Sequence, residues 1–271
     1  LFTMDKRPIG VFDSGLGGLT VVKELMKILP SENIVYFGDT ARVPYGTRSN
    51  DTVIRYSKQC IRFLLSQDVK MIVIACNTAS SISLDIVNKI FDVPILGVIE
   101  PGARAAAEST KNKRVGIIGT QATIRSKAYE KALMQQDPNL NIYSTPCSLF
   151  VPIVEEGWSH TKIALLTAEK YLGSMKDKDI DTLLLGCTHF PLLQDIIAKV
   201  MGSHVSLVNP AEGTALEVKS ILMSKNMLNL DEKEGTYNFF VSDLGEKFEE
   251  IGGQFLGREI KCIQKIDIES Y

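Results

Sequence analysis

The chain has 271 residues, of which 45% are apolar and 23% are charged. This composition is typical of a globular protein and argues against a disordered chain, a collagen-like repeat or a coiled coil. The 30 Lys and Arg residues nearly balance the 32 Asp and Glu residues, so the formal net charge is −2. Such a chain has no global field that attracts nucleic acid or an anionic membrane, and we expect neither as a partner.

The sequence predicts a cytoplasmic protein with free thiols. No apolar run approaches the roughly 18 residues of a membrane span. The first ten residues lack the features of a secretory signal, and we expect Met4 to be the natural first residue. The cysteines are odd in number and form no CxxC pair, so we expect neither a disulfide framework nor a metal site. They lie at positions 60, 76, 147, 187 and 262.

Eight short runs rich in Val and Ile alternate with segments of helical period. The predicted strands are 8–13, 33–37, 71–75, 94–98, 114–119, 141–145, 182–186 and 205–208. The clearest predicted helices are 18–29, 52–67, 80–91 and 161–175. Strands that are apolar on both faces favour a parallel sheet covered by helices, and the alternation predicts an α/β fold. In such folds ligands bind beyond the carboxyl ends of the strands.

An internal similarity predicts two related halves. The segment IVIACNT at 72–78 is matched by LLLGCTH at 183–189, and 11–15 is loosely matched by 116–120. The order of the matches is kept, which favours two similar α/β domains related by a pseudo-two-fold axis. We expect a first domain of residues 4–99 plus 210–271, carrying Cys76, and a second domain of residues 100–209, carrying Cys187. The tail, with two helical patterns and one or two strand-like runs, is assigned to the first domain from the balance of sizes.

Cys76 and Cys187 each directly follow a predicted buried strand. A helical pattern begins shortly afterwards, so each thiol is expected at a strand-to-helix turn. A helix N-terminus favours the thiolate and lowers a cysteine pKa from its usual value of about 8.5. A single cysteine at such a place is most simply a small packing residue, but two at equivalent positions favour a function. Cys60, Cys147 and Cys262, the last in a strand-like run, are interpreted as packing residues.

Two thiols on opposite faces of one cleft suit the inversion of a stereocentre. One group removes a proton from one face, and the other returns a proton to the opposite face. The enantiomer needs the two roles exchanged, so near-equivalent groups are appropriate. This chemistry is general acid–base catalysis, which works best with groups whose pKa values lie near the working pH.

The first strand ends in a glycine-rich turn that begins at Asp13. Its glycines allow a tight turn and expose backbone N–H groups that suit a carboxylate or a phosphate. Asp13 is placed to bind an amine or to orient a catalytic group, or alternatively to cap the next helix. Gly15, Gly17 and the later Asp39 also fit part of a dinucleotide fingerprint, although Thr20 stands at its third glycine position. A nucleotide-dependent oxidoreductase is therefore an alternative.

Further candidates lie beyond other predicted strands. The loop at 38–46 is placed so that its backbone and Tyr45 close over a small ligand. His189, two residues after Cys187, is placed to share its proton. Two further candidates, Thr120 and Thr123, follow the fifth strand and carry hydroxyls that suit a carboxylate. Glu155 follows an apolar run, where Glu156 is an equal candidate.

Four motifs together resemble the cofactor-independent aspartate/glutamate racemase family, and within it the glutamate racemases. They are GVFDSGLGG at 10–18, FGDTARVPYG at 37–46, ACNTAS at 75–80 and GCTHFP at 186–191. The resemblance extends from about Arg7 to at least Glu212. It implies two similar domains with the active site between them, and interconversion of L- and D-glutamate with no cofactor and no metal. It also implies a bacterial cytoplasmic enzyme that supplies peptidoglycan synthesis, and we expect a homodimer.

The resemblance also implies roles for individual residues. Cys76 would take the α-proton from D-glutamate and Cys187 from L-glutamate. The residues that would assist the thiols are Asp13, His189 and Glu155. The substrate-binding positions would be Asp13, Ser14, Pro44, Tyr45, Gly46, Asn77, Thr78, Thr120, Thr123, Thr188 and His189. Physical reasoning alone does not select glutamate, so racemisation of aspartate or another amino acid, and a non-enzymatic amino-acid-binding module, stay open as alternatives.

Overall fold

A computed structural model of the chain describes residues 4–245, 248–260 and 262–271. Within them the strands are β1 Ile9–Asp13, β2 Ile34–Gly38, β3 Met71–Ile74, β4 Ile95–Gly97, β5 Arg114–Gly119, β6 Asn141–Pro146, β7 Thr182–Gly186, β8 Ser206–Val208, β9 Tyr237–Val241 and β10 Ile263–Lys265. The α-helices are α1 Leu19–Ile28, α2 Asn50–Ser66, α3 Asn77–Val87, α4 Ile99–Ser109, α5 Gln121–Ser126, α6 Ala128–Gln136, α7 Phe150–Glu155, α8 Lys162–Lys176, α9 Gln194–Met201, α10 Pro210–Ser224 and α11 Phe248–Leu256. Short 3-10 helices cover Tyr45–Thr47, Phe190–Leu193 and Ile268–Ser270.

The strands form two parallel sheets, which confirms the predicted α/β fold. One sheet has six strands in the order β10-β9-β2-β1-β3-β4, and the other has four in the order β6-β5-β7-β8. All of the strand pairs are parallel. The order β2-β1-β3-β4 in the first sheet is repeated as β6-β5-β7-β8 in the second. The tail returns to the edge of the first sheet as β9 and β10, while the domain boundaries themselves stay a prediction.

Burial explains why the central strands have no alternating pattern. Every residue of β1, β2, β3 and β7 is buried, because helices cover both faces of each sheet. The chain crosses between the sheets twice, through α4 and through α10. These helices pack closely together: a Cβ atom at Gly213 would lie 3.1 Å from the carbonyl oxygen of Pro101. None of the described helices is long and apolar enough to cross a membrane.

Two local predictions differ from the structure. The helix predicted at 80–91 begins three residues earlier, at Asn77, because the sulfur of Cys76 caps it by accepting the N–H of Ala79 at 3.5 Å. Cysteine is not among the usual capping residues, so the pattern alone did not indicate this start. The prediction that Cys262 lies within a strand is wrong. It is exposed, has a φ of 58° and directly precedes β10.

A buried ion pair lies beneath the first sheet, near the start of β3. Lys70 Nζ lies 2.6 Å from Glu32 Oε2, and both side chains are almost fully buried. The same Nζ donates to the carbonyl oxygens of Asp5 at 2.8 Å and Met227 at 2.7 Å. Glu32 Oε1 accepts the N–H of Asn229 at 2.8 Å. These contacts offset the desolvation of the charges and fasten the segment between α10 and β9 to the first sheet.

Replacing Lys70 with Met is expected to destabilise the fold strongly. The change leaves the Glu32 carboxylate buried without its cation, which costs about 3–5 kcal/mol in comparable pairs. Urea denaturation measures the free energy of unfolding. The matched control is Lys70→Met combined with Glu32→Gln, which removes the unpaired charge and keeps an acceptor for Asn229. The double variant should recover much of the loss, and an equal loss in both variants would contradict this account.

Candidate active site

The carboxyl ends of five strands border one cavity between the two sheets. The residues that line it follow β1, β2 and β3 of the first sheet and β5 and β7 of the second, together with one residue of α7. They are Ser14, Val43, Pro44, Tyr45, Gly46, Cys76, Asn77, Thr78, Thr120, Val151, Cys187, Thr188 and His189. The cavity has a volume of about 20 Å³, which is little more than the minimum that a cavity needs to hold one water molecule.

The first thiol, Cys76, is buried between a helix start and a carboxylate. It lies 3.6 Å from the hydroxyl oxygen of Ser14 and accepts the N–H of Ala79. Burial and the nearby Asp13 raise its pKa to about 12, although the hydrogen bonds with Ala79 and Ser14 act in the opposite direction. The expectation that the helix start lowers this pKa is therefore wrong for Cys76. Loss of hydration outweighs the few partial charges of the helix start.

The second thiol, Cys187, has a basic neighbour instead. Its sulfur lies 4.0 Å from Nδ1 of His189, whose Nε2 lies 3.2 Å from Glu155 Oε1. Burial alone would lower the pKa of His189, but the hydrogen bonds with Cys187 and Glu155 outweigh burial and raise it to about 10. The ring of Phe255 on α11 meets the imidazole edge-on, with centroids 5.3 Å apart. Cys187, Glu155 and Phe255 thus contact the imidazole from three sides. Of the two candidates Glu155 and Glu156, it is Glu155 that bonds to His189.

Asp13 lies behind the cavity and connects the halves. Its Oδ2 accepts the N–H of Gly15 at 3.0 Å, and its Oδ1 accepts the hydroxyl of Thr188 at 3.4 Å. Burial raises the pKa of Asp13, although the charge of His189 opposes the shift. At Gly17 a Cβ atom would lie 2.2 Å from the hydroxyl oxygen of Thr188. Glycine is therefore required there by the close approach of the second half.

Three hydroxyls form a cluster across the cleft. Thr78 Oγ1 lies 2.9 Å from that of Thr120 and 3.2 Å from that of Thr123, and the latter two lie 3.0 Å apart. Thr120 also caps α5 by accepting the N–H of Thr123 at 3.2 Å. The loop after β2 reaches the same place, because a Cβ atom at Gly46 would lie 2.6 Å from Thr120 Cβ. Hydroxyls of both halves thus lie within bonding distance of one another beside Cys76.

The loop after β2 is held by Asp39, whose carboxylate is fully engaged within the protein. It accepts the hydroxyl of Tyr45, Nε of Arg42 at 2.7 Å and the hydroxyl of Ser242 at 2.8 Å. The Tyr45 hydroxyl also lies 3.7 Å from the sulfur of Cys60. Tyr45 therefore lines the cavity with its hydroxyl already bonded. Asp39 is not free to bind a ribose, which removes the acidic residue that the dinucleotide alternative requires.

Most of the predicted site residues border the cavity, and three lie directly behind it. Those three are Asp13, Thr123 and Glu155, each bonded to a residue of the cavity wall. Their roles stay a prediction. Within the described ranges no group of three His, Cys, Asp or Glu side chains is arranged to hold a metal ion, and the expected absence of a metal or cofactor also stays a prediction.

Sequence reasoning missed three residues. Val43 and Val151 line the cavity, and Tyr129 donates its hydroxyl to Oδ1 of Asn77 at 2.5 Å. Val43 stands inside the motif at 37–46, and Val151 lies one helical turn before Glu155, so each had a weak local signal. Tyr129 had none, because only the tertiary fold brings it to the site.

The chain is similar to known proteins along almost its whole length. The family model described as Asp/Glu/Hydantoin racemase matches residues 9–217. A glutamate racemase of Geobacter metallireducens is 47% identical over 267 residues, which cover 98% of this chain and 99% of that protein.

Solved structures show the same similarity. The crystal structure of glutamate racemase from Francisella tularensis in complex with D-glutamate has a TM-score of 0.93 at 43% identity, with 99% of this chain and 100% of that chain covered. A glutamate racemase isoform of Bacillus anthracis has a TM-score of 0.92 at 39% identity, with 96% and 97% covered.

The contribution of His189 to stability is expected to depend on pH. Its pKa is about 10 in the folded protein and near 6.5 in an unfolded chain. The folded state therefore holds the proton more tightly, so this contribution is fully present below about pH 6.5 and is lost as the pH rises towards 10. In urea denaturation, the difference in the free energy of unfolding between the unchanged protein and His189→Asn should shrink by up to about 1.4 kcal/mol per pH unit above pH 7.

A matched control for this measurement is His204→Asn, which removes an exposed histidine that does not line the cavity. The difference in the free energy of unfolding between His204→Asn and the unchanged protein should not shrink in this way as the pH rises. A difference for His189→Asn that stayed constant from pH 6 to 9 would contradict the proposed pairing with Cys187 and Glu155.

Proposed function

Because the chain belongs to the Asp/Glu/hydantoin racemase family, we propose that it interconverts L- and D-glutamate through two thiols, Cys76 and Cys187. Its activity is that of a glutamate racemase, which is an isomerase. The observation that supports the two-thiol mechanism is the presence of these cysteines at equivalent strand ends bordering one cavity. A base on one side of an α-carbon and an acid on the other is the arrangement that inversion requires.

The different neighbours of the thiols suggest their resting states. Nδ1 of His189 lies 4.0 Å from the Cys187 sulfur, where it can exchange a proton with the thiol. Burial and Asp13 favour the neutral thiol at Cys76. With L-glutamate, the Cys187 thiolate takes the α-proton and becomes a thiol. Cys76 then donates its proton to the opposite face of the carbanion and becomes a thiolate, leaving D-glutamate.

The reverse reaction uses the same groups with exchanged roles. The Cys76 thiolate takes the α-proton of D-glutamate, and the Cys187 thiol protonates the other face. The raised pKa of Cys76 makes its thiolate a strong base once it has formed. A strong base is appropriate because the α-proton of glutamate is only weakly acidic. Asp13 and His189 serve as the neighbours that set the charge of each thiol, and Glu155 orients His189 from behind.

Glutamate carries two carboxylates and one ammonium group. The cavity wall offers hydrogen-bond donors for the carboxylates, and its hydroxyl oxygens can accept from the ammonium group. Hydroxyl and amide donors are supplied by Ser14, Asn77, Thr78, Thr120 and Thr188, and the start of α3 adds backbone N–H groups. Negative charge that develops on the α-carboxylate in the carbanion is stabilised by such fixed donors in a site without bulk water. Pro44, Tyr45 and Gly46 would close the site from the loop after β2.

The cavity between the two halves has a volume of only about 20 Å³, so we expect the halves to separate to admit glutamate and to close around it. We expect the radius of gyration from small-angle scattering to decrease when D-glutamate is added to the ligand-free protein. L-lysine at the same concentration is the control ligand and should have no effect. Identical scattering and identical proteolysis with and without glutamate would contradict closure.

The central test is exchange at the α-carbon. The purified, reduced protein is incubated with L-glutamate in deuterated water without added cofactor. Circular dichroism should report loss of optical activity, and mass spectrometry should report one deuterium at the α-carbon. Cys76→Ser and Cys187→Ser should each lower kcat at least a hundredfold, because general acid–base groups contribute about 10²–10⁴-fold. Cys262→Ser, at an exposed cysteine, is the control and should retain activity.

The outcomes separate the alternatives. Inversion of aspartate in preference to glutamate would indicate a different substrate within the same mechanism. Glutamate binding without exchange, unaffected by Cys76→Ser, would indicate a binding module. Racemisation that survives either site substitution would contradict the two-thiol mechanism.

The cellular setting and assembly follow from the resemblance and are part of this proposal. The enzyme acts in the bacterial cytoplasm and supplies D-glutamate for peptidoglycan synthesis. It functions as a homodimer and needs no cofactor. Five cysteines without a disulfide between them are consistent with a reducing compartment, and sedimentation of the purified protein measures the assembly.

A further inference from the structure

Tyr129 connects the segments that carry the two thiols. It lies in α6, at the start of the helix, and is buried. Its ring fits between two glycines: a Cβ atom would lie 3.2 Å from the ring at Gly102 and 3.1 Å from it at Gly186. Gly186 directly precedes Cys187. The ring of Tyr129 is therefore seated against the backbone that carries the second thiol.

The hydroxyl of Tyr129 reaches the other half of the molecule. It donates to Oδ1 of Asn77 at 2.5 Å, and Asn77 directly follows Cys76. Burial raises the pKa of Tyr129 well above its usual value, so the hydroxyl keeps its proton and stays a donor. The Tyr129 side chain thus contacts both Gly186, which precedes Cys187, and Asn77, which follows Cys76.

The hydrogen bond from Tyr129 determines whether the oxygen or the NH₂ group of the Asn77 carboxamide is available to a ligand in the cavity. A carboxamide has an acceptor oxygen and a donor NH₂ group, and a phenol that donates to the oxygen fixes which is which. Among the described residues, Nδ2 of Asn77 has no hydrogen-bond partner, and Asn77 lines the cavity. The NH₂ group is therefore left for a carboxylate ligand.

We propose that Tyr129 is a positioning residue that orients the Asn77 carboxamide towards a substrate carboxylate and holds the two thiol-bearing segments in register. The inference rests on the proposed function, because the carboxylate is that of glutamate. Tyr129 acts through Asn77 and does not itself line the cavity. The bond joins the two halves, as does the bond between the hydroxyls of Thr78 and Thr120 at 2.9 Å.

The test is Tyr129→Phe, which removes the hydroxyl and keeps the ring between the two glycines. KM for both enantiomers of glutamate should rise about tenfold, as expected for one lost hydrogen bond, while kcat changes less than about threefold. Because the two enantiomers have equal free energy, kcat/KM must fall by the same factor in both directions. The control is Tyr237→Phe, whose hydroxyl bonds to the carbonyl oxygen of Pro30 at 3.5 Å far from the site, and it should leave both constants unchanged.

A double-mutant cycle distinguishes positioning from general packing. If Tyr129 acts through Asn77, then Tyr129→Phe should have little further effect in an Asn77→Ala background. An equal factor in both backgrounds, or an unchanged KM in Tyr129→Phe, would overturn the proposal. A thermal unfolding midpoint within a few degrees of the unchanged protein shows that the ring still packs.

The result can be separated from a failure of the proposed function. If the unchanged protein does not racemise glutamate, the proposed function is wrong, and the effect of Tyr129→Phe is then read from the Kd of glutamate by calorimetry. A tenfold weaker Kd supports the role of Tyr129 on its own. An unchanged Kd, or no binding of glutamate to the unchanged protein, overturns it.

Discussion

The architecture depends on the close approach of two separate sheets at their carboxyl ends. The approach leaves no room for a Cβ atom at two places, since one at Gly17 would lie 2.2 Å from Thr188 and one at Gly46 would lie 2.6 Å from Thr120. Each glycine belongs to the first half and each threonine to the second. A cavity as small as this one excludes bulk water, and in such a space every fixed dipole interacts more strongly with a developing charge. Close approach is therefore both the packing constraint and the source of the electrostatic environment.

The two sheets have the same strand order, but the two thiols have different electrostatic surroundings. Both sheets share one strand order, and both thiols follow the third strand of that order. Yet Cys76 caps a helix beside Asp13, whereas Cys187 precedes a 3-10 helix and lies beside His189. A carboxylate neighbour favours the protonated thiol, and an imidazolium neighbour favours the thiolate. Two chemically identical groups at equivalent strand ends thereby lie in different electrostatic surroundings.

The sequence predicted those features that follow from local pattern. Val- and Ile-rich runs located the first eight strands, and the repeated strand end located Cys76 and Cys187. The same logic failed where burial overrides a local preference, as with the pKa of Cys76, for which the strand-to-helix turn indicated the wrong direction. It also failed where a contact joins distant parts of the chain. Tyr129 and Asn77 are 52 positions apart, and no pattern within either helix indicates that they meet.

The tail shows why a segment without a recognisable motif still matters to the site. Ser242, at the end of β9, donates to Asp39 and so fixes the loop that carries Tyr45. Glu269 accepts Nη1 of Arg42 at 3.0 Å in the same loop. From α11, Phe255 packs against the imidazole of His189, which follows β7 of the other sheet. The tail therefore supports the cavity from both sides, and its side chains contribute by holding other residues in place. Such a role can be met by many different sequences, which explains why this part of the chain has no motif that local reasoning can detect.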